Sequence, residues 1–340
     1  MLSSEYLTAE EEERLERARR VVEKLEDKPT RLWGLFRAPA RDVAERHVIS
    51  KLNETDVKLF YDVNSETREL IKKAAHSGIK LAEKFKIKEM SSISTLEFAW
   101  ENRPLWLFGT ETCFCKKVAR TNKLELLKWA REVKKCKWDT YTFNAAARQG
   151  NLEMLKYCVA NGCPVNELAC AHAAENGHLE CLKYLHEVAK APWDWRTARM
   201  AAENGHLHIL EYLVERKFDD FDEKACYDAA ENGHLDCLKY LHEVAKAPRD
   251  ERTAHKAAYN GHQHILEYLV ERKFDYFDEF ACTCAAMKGH LDCLKYLHEV
   301  AKAPWDGDAV RSAHRYNHPD CLQYLLDNDC PLPIGWRDLL

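Results

Sequence analysis

Histidine and cysteine are the residues whose number and spacing could support chemistry in this chain, because 16 histidines and 14 cysteines occur among 340 residues. Zinc sites usually pair cysteines with two to four intervening residues and place a second ligand pair at a fixed distance. Only Cys113 with Cys115 and Cys282 with Cys284 approach that spacing, and a single residue separates each pair. No nucleophile–base pair, phosphate loop or paired-acid motif has a recognisable spacing. The sequence therefore predicts no catalytic residue, no metal and no cofactor, and we do not expect an enzyme.

Internal repetition predicts the elements that position these residues. The strings AAENGHL and KYLHEVAKAP each occur three times. One glycine, usually followed by histidine, marks each repeat; these marker glycines are Gly150, Gly177, Gly205, Gly233, Gly261 and Gly289. Asn122 and Asn317 extend the series, and the interval is 28 residues everywhere except for one of 27. Positions within a repeat are counted below from its marker glycine.

Each repeat contains two helical segments. Small apolar residues in 196–203 end at Asn204 and Gly205, which is typical of a helix C-terminus followed by a turn. Residues 206–217 then carry apolar side chains at a period of 3.6, which predicts an amphipathic helix. A helix pair of this size cannot bury its own apolar face, so neighbouring pairs must stack. The sequence predicts an all-α fold, an α-solenoid of stacked helix–turn–helix repeats with a helical N-terminal region.

These repeats resemble the ankyrin repeat through the core AAxxGHLxxLxYL, over roughly residues 91–340. The segment NGCPVN at 161–166 matches the end of the second helix and the turn that this family uses. The family period is about 33 residues, so each repeat here is about five residues shorter. The resemblance implies a protein-interaction scaffold whose partners lie on the concave face, against the first or inner helix of each pair.

Most cysteines lie at positions where other repeats have an apolar side chain. Position +4 holds Leu126, Met154, Cys181, Ile209, Cys237, Ile265, Cys293 and Cys321. Position −7 holds Cys115, Phe143, Cys170, Ala198, Cys226, Ala254, Cys282 and Val310. Cysteine that alternates with leucine, isoleucine and phenylalanine behaves as a small hydrophobic residue. We therefore expect these eight cysteines to be buried and reduced.

Six histidines begin the second helices directly after the marker residue: His178, His206, His234, His262, His290 and His318. One such ring per stacked repeat gives a spacing of about 10 Å, too long for shared metal coordination. We expect each ring to bond local backbone at the turn instead.

Two positions are expected to face a partner if the resemblance holds. Position −10 contributes Glu167, Trp195, Glu223, Glu251 and Glu279, and position −2 contributes Glu175, Glu203, Glu231 and Tyr259. From residue 91 onward, the chain has 32 lysines and arginines and 38 aspartates and glutamates, so this part of the chain is acidic. We expect these residues to bind a basic segment of a protein partner with Trp195 and Tyr259 as anchors, because aromatic residues often dominate binding energy. A solvated acidic face that keeps a monomer soluble is the alternative.

A second aromatic row stands at position +16 and consists of Trp138, Trp193, Phe221, Phe277 and Trp305, with Arg249 interrupting it. We expect these rings to stack along the solenoid rather than to form a peptide groove.

The first ninety residues differ from the repeats. Residues 1–30 predict a charged helical arm, with a capping box at Thr8 and Glu11. Residues 31–89 are either a helical cap for the first repeat or an adaptor-binding segment, and the solenoid is expected to occupy residues 90–340.

The adaptor-binding alternative depends on residues 39–73, which resemble a decayed F-box at Pro39, Val43, Ile49, Leu52 and Phe60. That resemblance implies docking onto the Skp-type adaptor of a cullin ubiquitin ligase, with the solenoid selecting the substrate. The expected leucine before the proline is Ala38, and an expected cysteine is Asn64.

Composition excludes several classes of function. The chain is 46% hydrophobic and 31% charged, which is typical of a globular protein rather than a disordered one. A net charge of −5 argues against nucleic-acid binding through phosphate contacts. No apolar stretch reaches the ~18 residues of a membrane helix, and the N-terminus lacks a secretory signal. We expect a cytoplasmic or nuclear monomer without nucleic-acid or membrane partners.

Overall fold

The computed structural model describes residues 87–90, 92–101, 110–274 and 277–336. The chain divides into two compact units, Met1–Lys135 and Cys136–Leu340. The predicted arm (1–30) and most of the predicted cap (31–89) lie outside the described residues. Among those that are described, no helix combines the length and apolarity needed to cross a bilayer.

The first unit contains one short turn and three helices in its described part. A 3-10 turn covers Ile87–Glu89. The helices are α1 (Ile93–Glu101), α2 (Glu111–Ala119) and α3 (Leu124–Lys128), the last continuing into a π-helical turn at Trp129–Val133. The start of the predicted solenoid is helical over Ile93–Glu101, and Glu97 there accepts a hydrogen bond from Lys134 at 2.8 Å.

The second unit consists of helix pairs throughout the residues described. The inner helices are α4 (Thr140–Arg148), α6 (Leu168–Glu175), α8 (Trp195–Glu203), α10 (Glu223–Glu231), α12 (Arg252–Tyr259), α14 (Glu279–Lys288) and α16 (Gly307–Arg315). The second or outer helices are α5 (Leu152–Ala160), α7 (Leu179–Glu187), α9 (Leu207–Glu215), α11 (Leu235–Tyr240), α13 (Gln263–Glu271), α15 (Leu291–Glu299) and α17 (Pro319–Asp327). The predicted all-α repeat fold is confirmed.

Local sequence explains where the inner helices begin and how closely they pack. An aspartate caps α4, α8, α10, α14 and α16 by accepting a hydrogen bond from a backbone N–H in the first turn. Alanines such as Ala201, Ala229 and Ala257 are fully buried where one inner helix packs on the next. Small side chains permit this close approach, while leucines of the outer helices fill the rest of the core.

A contact between the marker glycine of one repeat and the histidine of the next joins successive repeats. Gly205 has a φ of +74°, and a Cβ there would lie 2.7 Å from Nδ1 of His234. The same relation joins Gly150 with His178 and Gly177 with His206. Only glycine both adopts this backbone and leaves room for the ring.

Several of these rings also bond backbone, as expected, but the carbonyl belongs to the preceding repeat rather than to the local turn. Nε2 of His178, His206, His262 and His318 lies 3.0–3.2 Å from the backbone oxygen at position −2 of the repeat before. Because a carbonyl can only accept, Nε2 carries the proton in these rings. The histidine therefore links its own repeat to the preceding one.

The glycine–histidine contact predicts different costs for two glycine substitutions. Gly162 has a φ of +71° but nothing lies within 4 Å of an added Cβ. Gly162→Ala is expected to cost about 1 kcal/mol through backbone strain alone. Gly205→Ala adds a clash with His234 and is expected to cost about 3 kcal/mol. Urea denaturation of both variants measures the difference, and equal losses would contradict a packing role for the histidine.

Candidate interaction face

The predicted partner-binding residues lie at the two ends of the inner helices. The N-terminal row, at or next to the first residue of each helix, contains Glu167, Trp195, Glu223, Glu251 and Glu279. The C-terminal row contains Glu175, Glu203, Glu231 and Tyr259, each the last residue of its helix. A nine-residue helix separates its ends by about 12 Å, so the structure forms two parallel rows rather than one cluster.

Cations from the following repeat balance part of the N-terminal row. Arg196 donates to Glu167 at 3.0 Å, and Arg252 donates to Glu223 at 3.2 Å. Arg196 also bonds Asp194, the N-cap of its own helix, and Arg252 bonds Asp250 just before α12. Two carboxylates of the N-terminal row therefore already form ion pairs within the chain.

The C-terminal row is also partly balanced. Arg148 and His172 both contact Glu175, at 2.6 and 2.9 Å, and Lys256 donates to Glu231 at 2.8 Å. Burial acts to raise the pKa of Glu175, but the hydrogen bonds from His172 and Arg148 outweigh it and hold that pKa below its usual range. This carboxylate stays ionised at neutral pH.

An ion pair that the sequence did not predict stands behind this row. Asp228 on α10 is only 4% exposed and accepts a hydrogen bond from Arg199 on α8. Burial raises the pKa of Asp228 despite that arginine. Burial, followed by repulsion from Asp228, likewise raises the pKa of Glu203. The middle of the face thus concentrates negative charge in a partly desolvated place.

The two predicted aromatic anchors already have cations beside their rings. Lys224 lies 5.2 Å from the centre of the Trp195 ring, and Lys288 lies 4.6 Å from that of Tyr259. Both aromatic side chains remain partly exposed. A basic partner must therefore share or displace these lysines to reach either ring.

The prediction that the cysteines at positions +4 and −7 are buried is confirmed. All eight cysteines at positions +4 and −7 are at most 2% exposed. Burial raises the pKa of Cys170, Cys226, Cys237, Cys282 and Cys293 to about 12. Such thiols stay protonated at neutral pH, whereas metal ligation needs thiolates. Within the described ranges, no three His, Cys, Asp or Glu side chains converge so as to hold a metal ion.

Two tryptophans of the second aromatic row stack on histidines of their own repeats, whereas Trp138 and Phe221 meet a tyrosine and a phenylalanine edge-on. Trp193 lies on His186 with ring centres 3.6 Å apart, and Trp305 lies on His298 at 3.7 Å. Trp193 also meets Tyr212 of the next repeat edge-on at 6.3 Å. The rings are thus used in packing, as expected, with a partner that the spacing did not reveal.

His242 occupies a different environment although its surrounding sequence is copied. Residues 235–248 are identical to 291–304, and Arg249 stands where the other copy has Trp305. Helix α11 ends in a π-helical turn at Leu241–Ala245, and His242 is only 3% exposed. Its ring faces Tyr268 at 6.0 Å, and within the described ranges its Nε2 has no hydrogen-bond partner. The sequence signal was the interruption of the tryptophan row.

This burial predicts an acid-sensitive contribution to stability. Burial, with a smaller effect of Arg249, lowers the pKa of His242 from 6.5 to about 4. Because the unfolded chain then binds the proton more tightly, stability present above pH 6.5 is lost as the pH falls towards 4. The shift corresponds to roughly 3 kcal/mol.

Urea denaturation at pH 7.0 and 4.5 measures this loss. Arg249→Trp, which restores the indole, and His242→Leu, which removes the titrating group, should each lose less stability than the parent chain over this range. His186→Leu is the matched control at a stacked, more exposed ring. A loss that is identical in all four proteins would show that other groups cause it.

The predicted adaptor-binding residues, Pro39, Val43, Ile49, Leu52 and Phe60, lie outside the described residues. Adaptor docking therefore stays a prediction.

Comparison with known proteins agrees with the repeat geometry. A family model described as ankyrin repeats (3 copies) matches residues 143–225, 170–250, 199–279 and 254–333. Together these matches span residues 143–333, which is more than half of the chain. A search of curated proteins found no match. The helix pairs, their 28-residue spacing and this match together show that the chain belongs to the ankyrin-repeat family.

Proposed function

We propose that the chain is a non-enzymatic protein-interaction scaffold that binds a basic segment of a partner along its inner-helix face. Ankyrin repeats imply a protein partner, and the inner-helix face is the surface formed by the two rows at the ends of the inner helices. The observation that carries the proposal is the row of partly exposed carboxylates and aromatic rings at those helix ends. Carboxylates beside flat aromatic surfaces suit lysine and arginine side chains.

The internal cations shape how such a partner would bind. Arg196, Lys224 and Arg252 already contact the N-terminal row, so an incoming cation gains only the difference between two ion pairs. Exposed pairs of this kind contribute up to about 1 kcal/mol each. Affinity would therefore depend on several contacts and on the aromatic rings rather than on one salt bridge.

Ionic strength and one aromatic substitution test this proposal. A partner captured from a eukaryotic lysate by the full chain should bind about tenfold more weakly at 500 mM than at 100 mM salt, since salt screens surface charges. Trp195→Ala should weaken capture by a further five- to tenfold, the usual effect of losing an aromatic anchor.

Tyr240→Ala, on an outer helix, is the matched control and should leave capture unchanged. Affinity that is indifferent to salt would contradict the electrostatic part of the proposal. Equal effects of the two aromatic substitutions would contradict the choice of face.

The ubiquitin-ligase alternative has its own test. Full-length protein should recover a Skp-type adaptor and a cullin from the same lysate if residues 39–73 form an adaptor-binding segment. Leu52→Glu with Phe60→Glu should abolish that recovery, since charged side chains cannot fill apolar adaptor pockets. Recovery of the same proteins by both forms, without a ligase component, would assign residues 31–89 to a cap.

A further inference from the structure

The N-terminal row follows a simple pairing rule in the middle of the second unit. Position −10 of one repeat lies against position −9 of the next. Glu167 meets Arg196 at 3.0 Å, and Glu223 meets Arg252 at 3.2 Å. Between them Trp195 meets Lys224, with Nζ 5.2 Å from the ring centre. At each of these three junctions, a cation of the later repeat covers the exposed group of the earlier one.

The rule breaks at the next two junctions. In the repeat after Glu251, position −9 holds Phe280 rather than a cation. In the repeat after Glu279, the same position holds Asp308. Among the described residues, neither Glu251 nor Glu279 forms an ion pair, and both are exposed. In the described part of the chain, Asp308 forms its ion pair within its own helix, to Arg311 at 2.6 Å. Two successive carboxylates are therefore left uncompensated on either side of one aromatic residue.

Phe280 itself is unusually open for a large apolar side chain. It is 50% exposed, on the first turn of α14, and among the described residues its ring meets that of His255 edge-on at 5.0 Å between centres. Nε2 of His255 in turn lies 2.6 Å from Asp278, so this ring contacts a carboxylate other than those of Glu251 and Glu279. Burying Phe280 against a partner would remove its exposed apolar surface from water.

A cleft of about 270 Å³ continues from this phenylalanine between α14 and α16. Phe280, Thr283 and Met287 line one wall. Asp306, Arg311 and Ser312 line the other, with Glu279 and Asp308 at the rim. Three carboxylates and one guanidinium make the surroundings acidic, while the wall on α14 is largely apolar.

We propose that this cleft is the principal docking point of the inner-helix face and that it takes an apolar side chain of a peptide flanked by lysine or arginine. Charge selects the occupant, because the carboxylates of Glu279, Asp306 and Asp308 line the cleft. No ion pair crosses the gap between α14 and α16 in the described part of the chain. A phosphate-bearing or acidic partner would be repelled at the same place. This inference rests on the proposed function and narrows it to one junction.

The probe is a fluorescein-labelled heptapeptide with one central leucine and three basic residues on each side. Two matched peptides replace the leucine by serine, or the six basic residues by glutamate. Fluorescence polarisation with the full chain should give the tightest binding for the first peptide. Replacing leucine should weaken binding about fivefold, and the acidic peptide should not bind.

Substitution at Phe280 tests the pairing rule directly. Phe280→Arg restores a cation opposite Glu251, as Arg252 serves Glu223, so it should keep the fold and the melting temperature while weakening peptide binding at least tenfold. Phe280→Ala should weaken it about fivefold. Glu279→Lys should weaken binding of the basic peptide and reduce the discrimination against the acidic one. Val300→Ala and Asp292→Lys, both exposed on α15 or directly after it, are controls that should bind like the parent chain.

Equal binding of the leucine and serine peptides, or unchanged binding by Phe280→Arg, would overturn the inference. Different results would contradict the proposed function itself. If Trp195→Ala weakens lysate capture but Phe280→Arg does not, the inner-helix face is used without this cleft. If neither substitution affects capture, the face itself is wrong. A second copy of this chain as the occupant would appear as a dimer in sedimentation that Phe280→Arg abolishes, and this would also overturn the peptide assignment.

Discussion

The contact between a marker glycine and the next repeat's histidine is the constraint on which the rest of the structure depends. The glycine supplies a left-handed backbone and an open space, and the ring fills that space. Where Nε2 also bonds the carbonyl at position −2, as in His206 and His262, the ring has both packing and hydrogen-bond reasons to stay in place. Burial then lowers the pKa of both rings, which favours the neutral form that makes this contact. Each repeat is thereby held to its neighbour in one register.

That register decides the chemistry of the inner-helix face. With successive repeats fixed, position −10 meets position −9 of the next repeat at three junctions, so the properties of the face there follow from pairs rather than from single residues. Arg252 pairs with Glu223, whereas Phe280 occupies the corresponding position in the repeat after Glu251. A single substitution in an otherwise repetitive array therefore creates a local, asymmetric surface. Duplication supplies the scaffold, and departures from the duplicated pattern supply the candidates for recognition.

The sequence predicted whatever each repeat contains by itself. Helix pairs, the turn at each marker residue and the burial of cysteines at positions +4 and −7 all follow from patterns within 28 residues. Even Asn122 and Asn317, assigned as degenerate markers, adopt the same left-handed backbone, with φ near +60°. These features are local or depend on a period, which a sequence shows directly.

The features that the sequence did not predict are those that join two repeats. The carbonyl bonded by His178 belongs to the repeat before, and the Arg199–Asp228 pair is 29 residues apart. Likewise, one 14-residue sequence ends in two ways: α15 ends at Glu299, whereas its identical copy continues into a π-helical turn that buries His242. The residue directly after the identical segment differs, Arg249 in one copy and Trp305 in the other. Identical copies of a sequence predict identical structure, but the packing of each copy also depends on the residues of its neighbours.

The central claim is that partners bind the inner helices, with the greatest contribution near Phe280. Hydrogen–deuterium exchange of the full chain, with and without a captured partner, tests it most directly. Protection is expected to concentrate on the first turns of α12, α14 and α16 and to be weaker towards α6. Protection confined to the outer helices α13, α15 and α17 would contradict the claim.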